Sequence, residues 1–156
     1  MTIASTVDKQ RPAQVLLIED NVGDALLTRR AFKSAKIANQ LTVASSGEEA
    51  LALLLKKEEQ TGSLMPDIIL LDLNLPQMSG QDVLSFIKNN EKLRHIPVIV
   101  LSSSKAEQDV IKSYNLHANG YLIKPINIDS FNDVIQKIEA FWFTLVVMPD
   151  RSDLKN

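Results

Sequence analysis

Residues 66–80 read PDIILLDLNLPQMSG, and the fold turns on how this stretch is interpreted. Ile68-Ile69-Leu70-Leu71 is a continuous apolar run that ends on Asp72 and opens into a turn carrying Asn74, Pro76 and Gly80. A short unbroken apolar run bounded by turn residues reads as a strand buried on both faces, as in the interior of a parallel sheet. Open parallel sheets hold their functional groups beyond the carboxyl ends of the strands, which is where this reading puts Asp72. One acid at a strand end is often a plain surface residue. Its meaning depends on what the other strands bring beside it.

Working outward, Val15-Leu16-Leu17-Ile18 is a similar run that ends on Glu19-Asp20. Leu41–Ala44 is a short strand, Val98–Leu101 follows Pro97 and ends on Ser102-Ser103-Ser104, and Gly120–Ile123 ends on Lys124-Pro125. Helical spacing fills the intervals. Asn21 caps a helix to Lys36, with Val22, Ala25, Leu26, Arg29 and Phe32 in register. Ser46-Gly47-Glu48-Glu49 has the capping-box spacing and opens a second helix, and Lys56–Met65 is a polar loop. Gln81–Asn90 reads as a third helix. The fourth, Ser104–Asn115, again opens with the capping-box spacing, Ser104-Lys105-Ala106-Glu107, but is sparsely apolar and so weakly anchored. The last starts at Asn127 or Asp129 and carries a stripe of Ile128, Phe131, Val134, Ile135, Ile138, Phe141 and Trp142.

Five βα units in strict alternation predict an α/β fold, and right-handed crossovers leave the doubly wound topologies. The expected architecture is a flavodoxin-like five-stranded parallel sheet of order 2-1-3-4-5 with five flanking helices. Residues 1–13 are expected to be a flexible arm, 14–142 the domain and 143–156 a C-terminal extension.

Composition narrows the function. At 156 residues, 45% hydrophobic and 23% charged, the chain has material for one real core. A formal net charge of -2 gives no basic footprint, so no nucleic-acid partner is expected. The absence of cysteine excludes disulfides and thiolate chemistry, and two histidines, His95 and His117, are too few for an ordinary zinc site. With a polar N-terminus and no apolar run of membrane-spanning length, the expectation is a cytoplasmic chain with no membrane partner.

In the order 2-1-3-4-5 the first and third strands are neighbours, so Glu19, Asp20 and Asp72 converge at one edge. Three like charges in one pocket repel unless a cation sits among them. An all-oxygen cluster of carboxylates and water suits Mg²⁺, with phosphate oxygens completing its shell. Lys124 adds a compact positive charge and Ser102 a hydroxyl donor. Together they outline a pocket for a tetrahedral dianion attached to, or beside, Asp72.

This arrangement resembles the receiver domain of bacterial response regulators from about Gln14 to Phe141, with each motif in the family's order. Glu19-Asp20 is similar to the acidic pair that holds Mg²⁺, and LLDLNLPQMSG to the phosphoacceptor segment, with Asp72 the aspartate phosphorylated by a sensor histidine kinase. The resemblance also implies the backbone carbonyl of Asn74 as a metal ligand, Ser102 as the switch hydroxyl, Tyr121 as its aromatic partner and Pro125 as a cis-proline after the invariant lysine. It further implies that Mg²⁺ and Lys124 stabilise the transferring phosphoryl oxygens, that Ser102 then moves inward, and that Tyr121 follows. Such a chain is not a turnover enzyme; it catalyses only its own phosphorylation and a slow autodephosphorylation.

An alternative from another class is a haloacid-dehalogenase-like phosphohydrolase with Asp72 as nucleophile. Asp72-Leu73-Asn74 only approximates its Asp-x-Asp pattern, and Asn74 cannot act as its general acid. A flavodoxin-like FMN binder shares the sheet order, yet EDNVGD after the first strand is acidic where a phosphate cradle is needed. The tail FWFTLVVMP is more apolar than a fraying end, so Phe141, Trp142, Phe143, Leu145 and Val147 are expected in a homodimer interface with the last strand and helix. Together with EDNVGDALLTRRAF it resembles the stand-alone receivers paired with bacterial and cyanobacterial phytochromes. That subgroup implies a phytochrome kinase as phosphodonor. With few residues after the receiver core, no DNA-binding effector domain is expected.

Overall fold

In the computed structural model, which describes residues 11–35, 38–56 and 65–137, five strands alternate with five helices. The strands are β1 (Ala13–Ile18), β2 (Asn39–Ala44), β3 (Ile68–Asp72), β4 (Val98–Ser102) and β5 (Gly120–Ile123). The helices are α1 (Val22–Lys33), α2 (Gly47–Leu54), α3 (Gly80–Asn89), α4 (Lys105–Lys112) and α5 (Ile128–Ile135). All strand pairs are parallel, in the order β2-β1-β3-β4-β5. The doubly wound sheet expected from the sequence is therefore the one observed.

Period-two alternation along the inner strands divides the interior into two cores. Leu16, Ile18, Ile69, Leu71, Val98 and Val100 face one side with Ala50 and Leu54 of α2 and Val83, Leu84 and Ile87 of α3. Val15, Leu17, Ile68, Leu70, Ile99 and Leu101 face the other, toward α1 and α5. There Phe32 and Phe131 meet edge to face, centroids 4.9 Å apart. Every residue of β3 is buried, so the stretch at 68–72 is the sheet's spine. Leu70→Ala, at a position with 0% exposure, is expected to cost about 2–5 kcal/mol in urea denaturation. A loss under about 1 kcal/mol would contradict its place in a close-packed core.

The helix starts are set by side-chain caps. Asn21, Ser46, Ser79, Ser104 and Asn127 each accept from the backbone N–H three residues on. The two predicted capping boxes close one residue early: Glu49 accepts from the N–H of Ser45 at 2.8 Å, and Glu107 from that of Ser103 at 2.6 Å. Some ends differ from expectation. β2 starts at Asn39, because Ala13 and Gln14 recruit polar Asn39 and Gln40 by backbone pairing that no apolar pattern announces. α1 stops at Lys33, and α4 stops at Lys112, before a connection in which Asn115 and His117 take left-handed backbone angles. Within residues 11–13, the Arg11 guanidinium grips the Asp67 carboxylate at 2.7 and 2.8 Å and Ala13 begins β1. Ile138, Phe141, Trp142, Phe143, Leu145 and Val147 lie outside the described residues, as does most of the loop expected at 56–65.

Candidate active site

Four strands deliver chemistry to one edge of the sheet. β1 runs out into Glu19 and Asp20, β3 ends on Asp72, β4 ends on Ser102, and Lys124 follows β5. The backbone is continuous with the sheet there: Leu73 N–H donates to Leu101 O at 3.0 Å and Lys124 N–H to Ser102 O at 2.8 Å. Gly80 lets α3 start against this edge. A Cβ at that position would lie 2.7 Å from the Asp72 carbonyl oxygen and 2.9 Å from Leu73 backbone atoms, closer than any real side chain comes.

Glu19 and Asp72 are each 2% exposed, whereas Asp20 is open to solvent. Carboxylate oxygens of all three lie within 4.8 Å of one another. Lys124 Nζ sits 3.2 Å from Glu19 Oε1 and 3.4 Å from Asp72 Oδ2. Its shortest contact is a residue that the sequence reading missed, Asp24 Oδ2 at 2.9 Å. The Asn21 N–H donates to Glu19 Oε2 at 3.2 Å, and the Asn74 N–H to Asp72 Oδ1 at 3.2 Å.

Three acids thus share one ammonium, with Asp20 close to two of them, and the imbalance shows at Glu19. Burial, with the hydrogen bond and repulsion from Asp72, pushes Glu19 up to about 7; the Asn21 N–H and Lys124 only partly oppose this. For Lys124, burial works against the charge. The hydrogen bond to Asp24 and the fields of Asp72 and Glu19 outweigh it and hold the ammonium above its ordinary value. Excess negative charge on an all-oxygen donor set, two of its three acids buried, fits a hard divalent cation.

Around this centre, the Ser102 hydroxyl is buried and donates to the Ser104 carbonyl at 3.3 Å. Tyr121 pairs in register with Val100 and packs on the same core as Val100. By strand alternation Ser102 and Tyr121 therefore share one face of adjacent strands. Lys112 of α4 stands over the Tyr121 ring at 5.1 Å, and burial raises the phenol above its usual range. The Lys124–Pro125 bond is cis.

A second missed group closes the opposite rim. Glu107 of α4 accepts from Asn74 Nδ2 at 2.8 Å as well as from the Ser103 N–H, and these bonds hold it below the usual carboxylate range despite some burial. The pair spans a cavity of about 400 Å³ between the β3–α3 connection and α4, with Leu73, Leu75, Val110 and Ile111 in its walls. Glu107 was legible only as a helix cap; its Asn74 contact crosses 33 positions. Asp24 was hidden in the same way, as a first-turn acid that favours a helix N-terminus.

Comparison with known proteins points one way. Residues 15–136 match the family described as response regulator receiver domain. Response regulator Rcp1 of Synechocystis sp. (strain ATCC 27184 / PCC 6803 / Kazusa) is 42% identical over 138 residues, 88% of this chain and 94% of Rcp1. The structure of its Mn(2+)-bound form has a TM-score of 0.66, covering 89% of this chain and 100% of that one. The bacteriophytochrome response regulator AtBRR is 39% identical with a TM-score of 0.77, covering 85% of this chain and 96% of its own. The phosphorylated cyanobacterial phytochrome response regulator RcpA is 36% identical with a TM-score of 0.67, covering 90% and 100%. None of these likenesses supports the phosphohydrolase alternative, and the Asn74 amide is engaged by Glu107. With a family match running from β1 to the end of α5 and high identity across nearly all of Rcp1, the chain belongs to the response regulator receiver domain family.

Proposed function

We propose that this receiver domain takes a phosphoryl group onto the Asp72 carboxylate from the phosphohistidine of a sensor histidine kinase. The observation that carries the reading is the buried Asp72 carboxylate, set among Glu19 and Asp20 and opposite Lys124 at the C-terminal edge of the sheet. A carboxylate oxygen of Asp72 attacks phosphorus, forming an O–P bond as the P–N bond breaks. The electron pair goes to the imidazole nitrogen, and a proton carried on the ring's other nitrogen lets histidine leave neutral, with an acyl phosphate on Asp72.

Glu19, Asp20, Asp72 and the Asn74 carbonyl are the residues that would hold Mg²⁺. When bound, the ion supplies neutralising charge to the acids and to the phosphoryl oxygens. Lys124 contributes a second, fixed positive charge. Its backbone is tied to β4, so little reorganisation is needed at the moment of transfer. The protein gains one acyl phosphate per chain, with no turnover of an outside substrate beyond its own slow autodephosphorylation.

The state is reported through Ser102 and Tyr121. Ser102 gives up a long 3.3 Å bond to its own loop to meet the phosphoryl group. Tyr121 follows on the same face, and the Lys112 contact passes the change to α4, a helix with only Gln108 and Ile111 buried. Few anchors make α4 a cheap element to move.

The named relatives AtBRR and RcpA support a phytochrome-type light-sensing kinase as phosphodonor, and in this reading the reaction takes place in the cytoplasm. No helix among the described residues is long and apolar enough to cross a membrane. The receiver unit in this reading runs to residue 142 and takes in Ala13 at the start of β1, with an arm before it and 143–156 an extension. The apolar run Phe141, Trp142, Phe143, Leu145 and Val147 supports a homodimer built with the last strand and helix. Deleting everything after Phe141 is expected to shift sedimentation toward monomer; an unchanged distribution would sink the dimer arm. Transfer profiling against purified histidine kinases tests the donor, and preferred labelling by a kinase without a light-sensing module would overturn the phytochrome assignment.

A further inference from the structure

Three carboxylates surround Lys124, and only one of them lies outside the three-acid cluster. Glu19 and Asp72 belong to that cluster, while Asp24, the nearest at 2.9 Å, does not. We propose that Asp24 is a positioning residue that holds the Lys124 ammonium on the α1 side of the site until a phosphoryl group competes it away. Its charge thereby sets how tightly Asp72 and its neighbours accept that group, a role that rests on Asp72 being the phosphoacceptor.

The ammonium donates hydrogen bonds to Asp24 Oδ2 at 2.9 Å and Glu19 Oε1 at 3.2 Å, while Asp72 Oδ2 lies 3.4 Å away as an ion pair. A phosphoryl group on Asp72 draws the ammonium toward its new oxygens, and the two hydrogen-bonded carboxylates on the other side resist that move. Glu19 and Asp72 share their charge with the divalent ion in the reading above, which weakens their hold on the lysine. Asp24 stands outside the three-acid cluster and is the true competitor.

Asp24 is also the partner best able to let go. Its side chain is 39% exposed, against 0% for Glu19 and 3% for Asp72, so water takes over when the ammonium leaves. It sits in the first turn of α1, where the helix N-terminus favours a negative charge with or without the lysine. Its position is fixed: the Asp24 N–H donates to Asn21 Oδ1 at 2.8 Å, and the Asn21 N–H to Glu19 Oε2 at 3.2 Å. This chain of contacts ties the carboxylate at 24 to the buried floor of the site.

The test uses the full chain with saturating Mg²⁺ and beryllofluoride as the phosphoryl mimic, followed by ¹⁹F NMR. Asp24→Asn is expected to bind beryllofluoride about two- to fivefold more tightly than wild type, the size of a partly exposed ion pair. The difference should shrink at high salt. Asp24→Glu, which restores the charge, should return affinity toward wild type; a merely structural residue would not show this rescue. Asp24→Ser removes the charge by another route and is expected to act in the same direction, which guards against a folding defect in the first variant. Unchanged or weaker binding in folded Asp24→Asn and Asp24→Ser, with wild type responding normally, overturns the role of Asp24 alone. A wild-type chain that does not bind beryllofluoride overturns the phosphoacceptor reading, and this role with it.

Discussion

Lys124→Ala is expected to slow phosphoryl uptake from a small acyl phosphate by about 10²–10³-fold, the usual cost of removing one preorganised group that stabilises transition-state charge. Lys124 is the cation that the fold aims at Asp72, 3.4 Å from its Oδ2. Arginine is not expected to rescue it, because a planar guanidinium fork cannot replace a compact ammonium seated among three carboxylates. The variant should also leave Glu19 and Asp72 buried as like charges without their counter-ion. Stability without metal is therefore expected to fall, and Mg²⁺ should raise the urea midpoint of the variant more than that of wild type. Labelling rates at saturating Mg²⁺ and paired denaturation curves check both halves. A near wild-type labelling rate would remove Lys124 from the chemistry.

The fold was legible because its decisive signals are local. Continuous apolar runs at Val15–Ile18, Ile68–Leu71 and Val98–Leu101 become the central strands, and their terminal residues land together by topology alone. Polar edge pairing was less legible: Asn39 and Gln40 join β2 only because Ala13 and Gln14 lie beside them. The site divides along the same line. Glu19, Asp20, Asp72 and Lys124 could be placed from strand ends, whereas Asp24 and Glu107 sit on helices whose first-turn acids have an adequate local explanation. Their reach into the site depends on how α1 meets the end of β5 and how α4 meets the β3–α3 connection. The contacts involved cross 100 and 33 positions. No spacing rule spans such distances.

Asp72→Asn is expected to abolish labelling outright. The amide keeps the size and shape of the side chain but is a poor nucleophile toward phosphorus, so positioning by Lys124 and the acids is left with nothing to transfer to. Loss of labelling through unfolding is not expected, because the change removes the carboxylate that repels Glu19 in a buried pair. The variant should be at least as stable as wild type in the absence of metal.

The most direct measurement is the stoichiometry and chemical lability of phosphate bound to wild type and Asp72→Asn after incubation with a labelled acyl phosphate and Mg²⁺. The expected result is up to one hydroxylamine-labile phosphoryl group per wild-type chain and none on the variant. Equal labelling of the two proteins, or label that survives hydroxylamine, would contradict Asp72 as the phosphoacceptor.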